Sequence, residues 1–381
     1  MDLPPLSLYV HLPWCVRKCP YCDFNSHEVR GDLPFDDYVQ ALLNDLEQEL
    51  PLVWGRPVHS IFFGGGTPSL FDAAHIGSLL SGFRSLLPVS PEVEVTLEAN
   101  PGTTEHDSFL AYRDAGVNRI SLGVQSFDDE RLAAIGRIHG RAEVEQAIAA
   151  IERSGIHNFN IDLMFALPGQ SVAAALQDVR EAIVCKPAHI SHYQLTLEPN
   201  TPFHANPPEL PEEDAGWEMQ QECGLALSAA GYQQYEISAW SRPDQRCSHN
   251  MNYWRYGDFI GIGAGAHGKI TLPAEESVRR TVRQRHPVAW IKGVQQGSSI
   301  LEERRLDAAE RVFEFFLNQL RLREGVLVSQ FQPRTGVDWS EVSGRVQSAI
   351  DKGLLEEENG VLSPTELGWR FSNDIQAIFL P

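Results

Sequence analysis

The chain has 381 residues, and 43% of them are hydrophobic, so it can build a large core and is not expected to be disordered. Its 51 acidic and 31 basic residues give a formal net charge of -20, which excludes a general affinity for nucleic acid or anionic lipid. The sequence shows no signal peptide and no transmembrane segment, so we expect a cytoplasmic protein without a nucleic-acid partner.

Apolar, β-rich runs alternate with helical patterns along the first half of the chain. The runs occupy 7–12, 59–65, 93–99, 119–125, 159–165 and 189–196. Between them lie helical patterns such as 35–50, 73–87 and 173–184. Strands that alternate with helices of this length predict βαβ units, a parallel sheet and an α/β fold class. Six units favour a partial (βα)6-type barrel over an open sheet.

A change of pattern near residue 270 divides the predicted chain. We assign 1–270 to the barrel, 271–300 to a polar, proline-flanked linker or crossing, and 301–381 to a smaller, mainly helical C-terminal domain. The end of that domain predicts helix, strand, Asn-Gly turn, strand and helix, which is how a winged helix begins. Three consecutive glutamates at 356–358 disfavour contact with phosphates, so we interpret the domain as protein-facing or pocket-covering.

Polar residues mark the C-terminal ends of the predicted strands, where β/α barrels carry their active sites. Side chains two apart on a strand share a face, so we expect these residues to point toward one mouth. They are Tyr9 and His11 on the first strand, 64–68 after the second, Glu98 on the third, Gln125 on the fourth, Asp162 on the fifth, and His192 with Gln194 on the sixth.

Three cysteines, Cys15, Cys19 and Cys22, follow the first strand in a C-x3-C-x2-C spacing. A [4Fe–4S] cluster usually takes four thiolates, so three would leave one iron free to chelate a small molecule by an amine and a carboxylate. A zinc site that recruits His11 or His27 is an alternative. Three purely structural thiols are disfavoured, because exposed-loop cysteines react readily in a cell.

The cysteine motif resembles that of the radical S-adenosylmethionine (SAM) superfamily, and the run GGGTP at 64–68 is similar to its glycine motif. The resemblance implies a [4Fe–4S] cluster on Cys15, Cys19 and Cys22, with SAM bound at the open iron and cleaved there to a 5'-deoxyadenosyl radical. The residues that it implies as SAM contacts are Tyr9, Tyr21, Gly65, Gly66, Thr67, Glu98, Gln125, Arg137, Asp162 and Ala266. For Glu98 and Asp162, a buried salt bridge inside the barrel is the structural alternative.

Phe24 and a second motif point to one branch of this superfamily. The branch of coproporphyrinogen III dehydrogenase carries a fourth cysteine at the position that Phe24 occupies here. The chain instead resembles the HemW-type haem chaperones, whose H-N-x-x-Y-W signature matches His249, Asn250, Tyr253 and Trp254. The resemblance implies that His249 ligates haem iron, with Tyr253 and Trp254 as flat apolar surface for the macrocycle. A histidine that only caps a turn, and Cys247 as a rival ligand, are the alternatives.

Three functions follow as hypotheses. The first is a haem chaperone that carries the cluster with SAM and transfers haem to an acceptor haemoprotein, for example a respiratory one, with no catalytic residue assigned. The second is a radical SAM oxidoreductase acting on a porphyrinogen, so the status as an enzyme stays open. The third is a regulatory binding module that uses the C-terminal domain. The resemblance also implies a homodimer.

Overall fold

The computed structural model describes residues 1–102 and 108–381, and within them the chain builds one twelve-stranded mixed sheet. All six predicted strands are present and lie side by side in chain order, each parallel to the next. They are β1 (Leu6–Leu12), β2 (Val58–Gly65), β3 (Val89–Ala99), β4 (Arg119–Gln125), β5 (Asn158–Phe165) and β6 (His189–Gln194). The predicted α/β fold class, with six parallel strands joined through helices, is therefore confirmed.

Helices cover the outer face of this sheet. Their bounds are Phe35–Val53, Ala73–Leu86, Ser108–Ala115, Asp129–Ala134, Arg141–Ser154, Val172–Val184 and Glu213–Ala229. Side-chain caps define where two of them begin, because Asp72 accepts from the N–H of His75 at 2.9 Å and Ser171 from that of Ala174 at 3.2 Å. The outward-facing strand residues, such as Ile120, are fully buried against these helices, and each such side chain stabilises the fold by about 1.5–3 kcal/mol.

The sheet continues beyond both ends of the parallel block. Next to β6 lie β7 (Gln233–Gln234) and β8 (Ala239–Ser241). Next to β1 lies a seventh parallel strand, which the sequence did not reveal, followed by three antiparallel strands. These are β9 (Asp258–Ile262), β10 (His267–Leu272), β11 (Ser277–Arg283) and β12 (Ile300–Arg305).

Residues 271–300, for which we predicted a linker, instead contain the end of β10, all of β11, the helix Pro287–Gln295 and the start of β12. Two of the arginines that made this segment look exposed, Arg279 and Arg283, are buried against acids of the helix Phe35–Val53. Arg283 contacts Asp45 at 3.2 Å and Glu49 at 2.9 Å. Pairing with acids more than 200 residues away thus turns a charged segment into an interior strand.

The C-terminal region has a separate apolar cluster, centred on Phe316, Phe331 and Phe379. Its helices are Ala308–Gln319, Phe331–Thr335, Ser340–Asp351, Glu366–Arg370 and Ser372–Ile378, and its strands are Val326–Leu327, Leu355–Glu358 and Val361–Pro364. Asn359 and Gly360 both have positive φ, as a tight hairpin turn requires. The predicted order of helix, strand, turn, strand and helix is thus observed.

The remaining short elements lie at the two ends of the parallel block. They are the strands Trp14–Cys15 and His27–Glu28, the helices Pro202–Ala205 and Ser248–Trp254, and the 3-10 turns Pro68–Leu70, Pro273–Glu275 and Val328–Gln330. Among residues 1–102 and 108–381, no helix combines the length and apolar character needed to cross a bilayer.

Candidate cofactor site

The cysteine loop, residues 15–27, covers the C-terminal end of β1 and is fixed at both ends. Its flanks pair as a short parallel ladder between Trp14–Cys15 and His27–Glu28. The indole of Trp14 packs on Tyr38, with ring centroids 4.7 Å apart, and the side-chain amide of Asn25 donates to the carbonyl of Ala264 at 2.9 Å. The loop is therefore held by the barrel rather than left to move in solvent.

All three thiols line one cavity of about 560 Å³, which we call the cysteine cavity. The residues that the sequence assigned to SAM and that line it are Tyr21, Gly65, Gly66, Thr67, Glu98, Gln125, Arg137 and Asp162. Tyr9 lines a neighbouring cavity instead. Ala266 is buried below the end of β1, where its N–H donates to the carbonyl of Gly263 at 3.0 Å, and it does not line the cysteine cavity.

The glycine motif allows the backbone of β2 to approach β1 closely. Gly65 has a φ of +119°, which favours glycine, and its N–H donates to Glu98 Oε2 at 3.2 Å. A Cβ at Gly66 would lie 2.5 Å from the carbonyl oxygen of Trp14. Thr67 then donates its N–H to that same oxygen at 2.7 Å. Gly65 and Gly66 therefore present only backbone atoms to the cavity.

Arg137 brings positive charge to the thiols. Its Nη1 lies 3.6 Å from Cys19 Sγ, its Nη2 donates to the carbonyl of Gly123 at 2.8 Å, and it also contacts the side chain of Asn100. Burial raises the pKa of the Cys15 and Cys22 thiols, so a nearby cation favours the thiolates that a cluster requires. Three thiols around one cavity, beside a guanidinium, fit a cluster held by three thiolates.

A mononuclear metal site receives no support from the geometry. Within the described residues, no three His, Cys, Asp or Glu side chains converge closely enough to hold one ion. His11, a candidate zinc ligand, has both ring nitrogens engaged, with the Tyr9 hydroxyl at 3.1 Å and the Asn25 carbonyl at 2.9 Å. His27 contacts the carbonyl of Arg285 at 3.2 Å.

Two half-buried carboxyl groups, Glu98 and Asp162, line the cysteine cavity. Burial, and secondly the charge of Asp162, raises the pKa of Glu98 to about 8. Burial also raises the pKa of Asp162, which accepts hydrogen bonds from Asn160 at 2.8 Å and Ser121 at 3.2 Å. Neither carboxyl group forms a salt bridge with a described residue. The buried salt bridge inside the barrel, which was the alternative role for these two residues, is therefore not observed.

A second cavity of about 910 Å³, which we call the His249 cavity, adjoins the first and extends from the cysteine loop to the helix Ser248–Trp254. The haem-signature residues His249, Asn250, Tyr253 and Trp254 all line it, together with Tyr9 and His11. The two cavities share a wall, and the residues that line both are Asp23, Phe24, Ser26, Gly65, Glu98, Ser121, Asp162 and Ser191. The two cavities are therefore neighbouring parts of one lumen, joined along these shared residues.

The short helix Ser248–Trp254 positions His249 in this cavity. The carboxylate of Glu94 accepts the backbone N–H groups of Ser248 and His249, both at 3.1 Å. His249 Nδ1 is engaged with the hydroxyl of Ser60 at 3.0 Å, which leaves Nε2 for a ligand. Burial, and secondly the charge of Arg119, lowers the pKa of His249 to about 3, so the imidazole is in its neutral, metal-binding form.

Two other members of the signature, Tyr253 and Trp254, bring aromatic rings to the cavity, whereas the neighbouring Cys247 lies apart from it. Tyr253 packs on Phe259 with centroids 4.8 Å apart, and the indole N–H of Trp254 is buried without a hydrogen-bond partner among the described residues. Cys247, the rival haem ligand, is fully buried, does not line the cavity and lies with its Sγ 3.6 Å from Glu94.

Comparison with known proteins gives the family. The radical SAM superfamily profile matches residues 9–182, and the HemN C-terminal domain profile matches residues 306–371. The chain is 49% identical over 380 residues to the heme chaperone HemW of Escherichia coli, which covers 100% of this chain and 99% of that protein. The chain belongs to the HemW family of haem chaperones.

Further comparisons agree with this assignment. The heme chaperone HemW of Haemophilus influenzae is 46% identical, over 99% of this chain and 98% of that protein. The mitochondrial radical SAM domain-containing protein 1 of Bos taurus is 33% identical, over 92% and 81% respectively. The solved structure of coproporphyrinogen III oxidase HemN from Escherichia coli superposes with a TM-score of 0.84 at 22% identity, over 99% and 90%, which shows a shared fold.

The features that separated the HemW family from the dehydrogenase branch occupy distinct places in the lumen. Phe24, in place of a fourth cysteine, is 59% exposed and lies at the rim of both cavities. The H-N-x-x-Y-W residues line the His249 cavity. The sequence signature of the HemW family thus corresponds to a second cavity, which reaches from the cysteine loop to His249.

Some residues of the site were missed from the sequence. Tyr193, not His192, faces the cysteine cavity from β6, and its hydroxyl donates to Gln125 at 2.7 Å. His192 packs on Phe165 in the core, with centroids 4.6 Å apart. Arg119 lines the His249 cavity. The sequence could have indicated this, because Arg119 stands two residues before Ser121 in the fourth strand and therefore shares its face.

Proposed function

We propose that this protein binds haem through His249 and transfers it to an acceptor haemoprotein, while carrying a [4Fe–4S] cluster on Cys15, Cys19 and Cys22 with SAM at the open iron. One observation carries the proposal. A neutral histidine with a free Nε2 faces a cavity of about 910 Å³, and this cavity shares a wall with the cavity of the three thiols.

The cysteine cavity supports the cluster and SAM. Arg137 would favour the thiolates, and the backbone of Gly65, Gly66 and Thr67 would approach the amino acid part of SAM. Glu98, Gln125, Asp162 and the neighbouring Tyr21 would contribute further polar contacts. When bound, a cluster of this type supplies one-electron chemistry to SAM. This chain would hold both groups behind a loop that is anchored at both ends.

The His249 cavity supports haem binding. Imidazole nitrogen is a common axial ligand of haem iron, and a hydrogen bond donated by Nδ1–H to the hydroxyl of Ser60 would fix the orientation of the ring with Nε2 free. Tyr253 and Trp254 offer flat apolar surface at the same cavity. A cavity of this size is within the range of cofactor sites. The proposal also includes a cytoplasmic location, a homodimer, and a respiratory haemoprotein as one kind of acceptor.

The test is anaerobic reconstitution with iron and sulfide, followed by haem titration monitored by absorbance. Wild type is compared with His249→Ala and with His157→Ala, a control at an exposed position. We expect a four-iron cluster in all three, and a saturable Soret band that only His249→Ala weakens. Transfer is then measured by mixing the haem complex with an apo-haemoprotein. Intact cluster without saturable haem binding would overturn the proposal.

A second function, oxidation of a porphyrinogen, is favoured by the shared wall between the two cavities. A tetrapyrrole in the His249 cavity would adjoin the cluster site along the shared residues, which include Glu98 and Asp162. Anaerobic turnover of coproporphyrinogen III with cleavage of SAM would support this function. Haem transfer without either reaction would reject it.

A further inference from the structure

Arg119 is a buried cation inside the barrel. It is the first residue of β4, and side chains two apart on a strand share a face, so it lies on the lumen side with Ser121, Gly123 and Gln125. Arg119 and Ser121 line the His249 cavity, whereas Ser121, Gly123 and Gln125 line the cysteine cavity. Only 2% of the surface of Arg119 is exposed.

The guanidinium of Arg119 lacks the partners that a buried charge needs. Its Nε has no hydrogen-bond partner, and it forms no ion pair with any residue in the described part of the chain. The nearby acids Glu94 and Asp162 act on it only through space. Glu94 bonds the start of the helix Ser248–Trp254, and Asp162 bonds Asn160 and Ser121. A guanidinium has five donors, and leaving them unpaired in the interior is costly.

The other buried arginines that the structure describes are all paired. Arg56 contacts Asp258 at 2.8 Å, Arg279 contacts Glu49 at 2.8 Å, and Arg283 contacts Glu49 at 2.9 Å. These arginines hold structural elements together. Arg119 differs because it faces open space in a cavity rather than a carboxylate.

We propose that Arg119 binds a carboxylate of the haem that occupies the His249 cavity. This inference rests on the proposed haem-binding function. Guanidinium and carboxylate match in a bidentate geometry, and the propionates of haem are its anionic groups. In a chain of net charge -20, an unpaired arginine in the same cavity as His249 provides the local positive potential that such an anion needs.

Arg119 and His249 together would fix the orientation of the macrocycle. The histidine would hold the iron through Nε2, and the arginine would hold a group at the edge of the ring. The carboxylate of SAM is a poorer partner for Arg119, because Arg119 does not line the cysteine cavity. The assignment therefore separates the two ligands by cavity.

The experiment compares two probes on the reconstituted full-length protein: iron protoporphyrin IX and its dimethyl ester, which has no free carboxylate. The variants are Arg119→Met and, as a matched loss of charge at an exposed position, Arg180→Met. We expect wild type and Arg180→Met to prefer the free acid by about tenfold to a hundredfold. Arg119→Met should bind both probes equally, at the affinity that wild type has for the ester.

Each outcome decides a different claim. If wild type binds neither probe, the proposed haem-binding function fails. If wild type binds both equally, with a spectrum that depends on His249, only the role of Arg119 is overturned. The same holds if Arg119→Met keeps the preference for the free acid. The comparison of probes in wild type needs no substitution, so the inference is testable even if the variant does not fold. Arg119→Lys should restore part of the preference, because it keeps the charge without the bidentate fork.

Discussion

Glu98 makes the stability of the apoprotein depend on pH in a way that one substitution removes. Its side chain lines both cavities, and burial raises its pKa to about 8 from an ordinary value of 4.5. Between these two values the native state holds a proton that the unfolded chain has released. The free energy of unfolding therefore falls as the pH rises through this window and is level above it.

The magnitude follows from the two pKa values. The contribution of Glu98 to the free energy of unfolding is lower than at acidic pH by about 1.4 kcal/mol at pH 5.5 and about 4.3 kcal/mol at pH 8. Glu98→Gln keeps the shape and the acceptor for the N–H of Gly65, and it cannot ionise. The stability of the variant relative to wild type should thus increase by about 3 kcal/mol between pH 5.5 and pH 8.

The assay is urea unfolding of the reduced apoprotein, followed by far-ultraviolet circular dichroism at both pH values. Other titrating groups are common to the two proteins, so the difference between them isolates Glu98. Glu47→Gln, on the exposed side of the helix Phe35–Val53, is the matched control and should show no such increase. A wild-type-to-variant difference that stays the same at both pH values would refute the reasoning, since Glu98 would then be ionised throughout.

Further predictions concern the cluster, the glycine motif and the C-terminal domain. Cys19→Ala should lower the iron and sulfide that remain bound after anaerobic reconstitution to background, as chemical analysis of both elements will show. The control Cys185→Ala, far from the loop, should keep four irons per chain. Gly66→Ala should weaken SAM binding by at least tenfold in equilibrium dialysis, because the new Cβ would lie 2.5 Å from a backbone oxygen. The control Gly344→Ala lies in a helix with open space around it, so it should bind SAM normally and be slightly more stable. The protein should not shift a DNA duplex in a gel at low salt, because the hairpin of the C-terminal domain carries a run of glutamates; a salt-sensitive shift would contradict this.

The parallel strands were predictable because each carries a run of apolar side chains on its outward face, such as Ile120, Leu122 and Val124 in β4. β4 begins and ends at the residues expected, and every residue in it is buried. β9 was missed because its sequence, DFIGI, leads into a glycine-rich loop and pairs with β1 only after about 250 intervening residues. β11 was missed because its arginines read as surface residues, and their partners Asp45 and Glu49 lie on the first helix.

The site was predictable where a local motif carried it. The cysteine spacing and the glycine run identified residues that line one cavity, because each motif brings its own chain geometry. Which face of β6 points into the cavity was not predictable, because its histidines and tyrosine leave neither face clearly apolar. Tyr193, rather than His192, lines the cavity. The adjacency of the two cavities in one lumen depends on how five strands align, and no single segment of the sequence encodes that alignment.

The pairing of β1 with β9 also sets the order in which the protein can be completed on the ribosome. Leu6 pairs with Asp258, and the cysteine loop bonds the carbonyl of Ala264 through Asn25. At about 5–20 residues per second, roughly 12–50 s separate the synthesis of the first strand from that of its outer neighbour. During that time the loop lacks one of its anchors and its thiols are open to oxidation. If the three thiols hold the proposed cluster, its complete anchoring would therefore have to wait until most of the chain has been made.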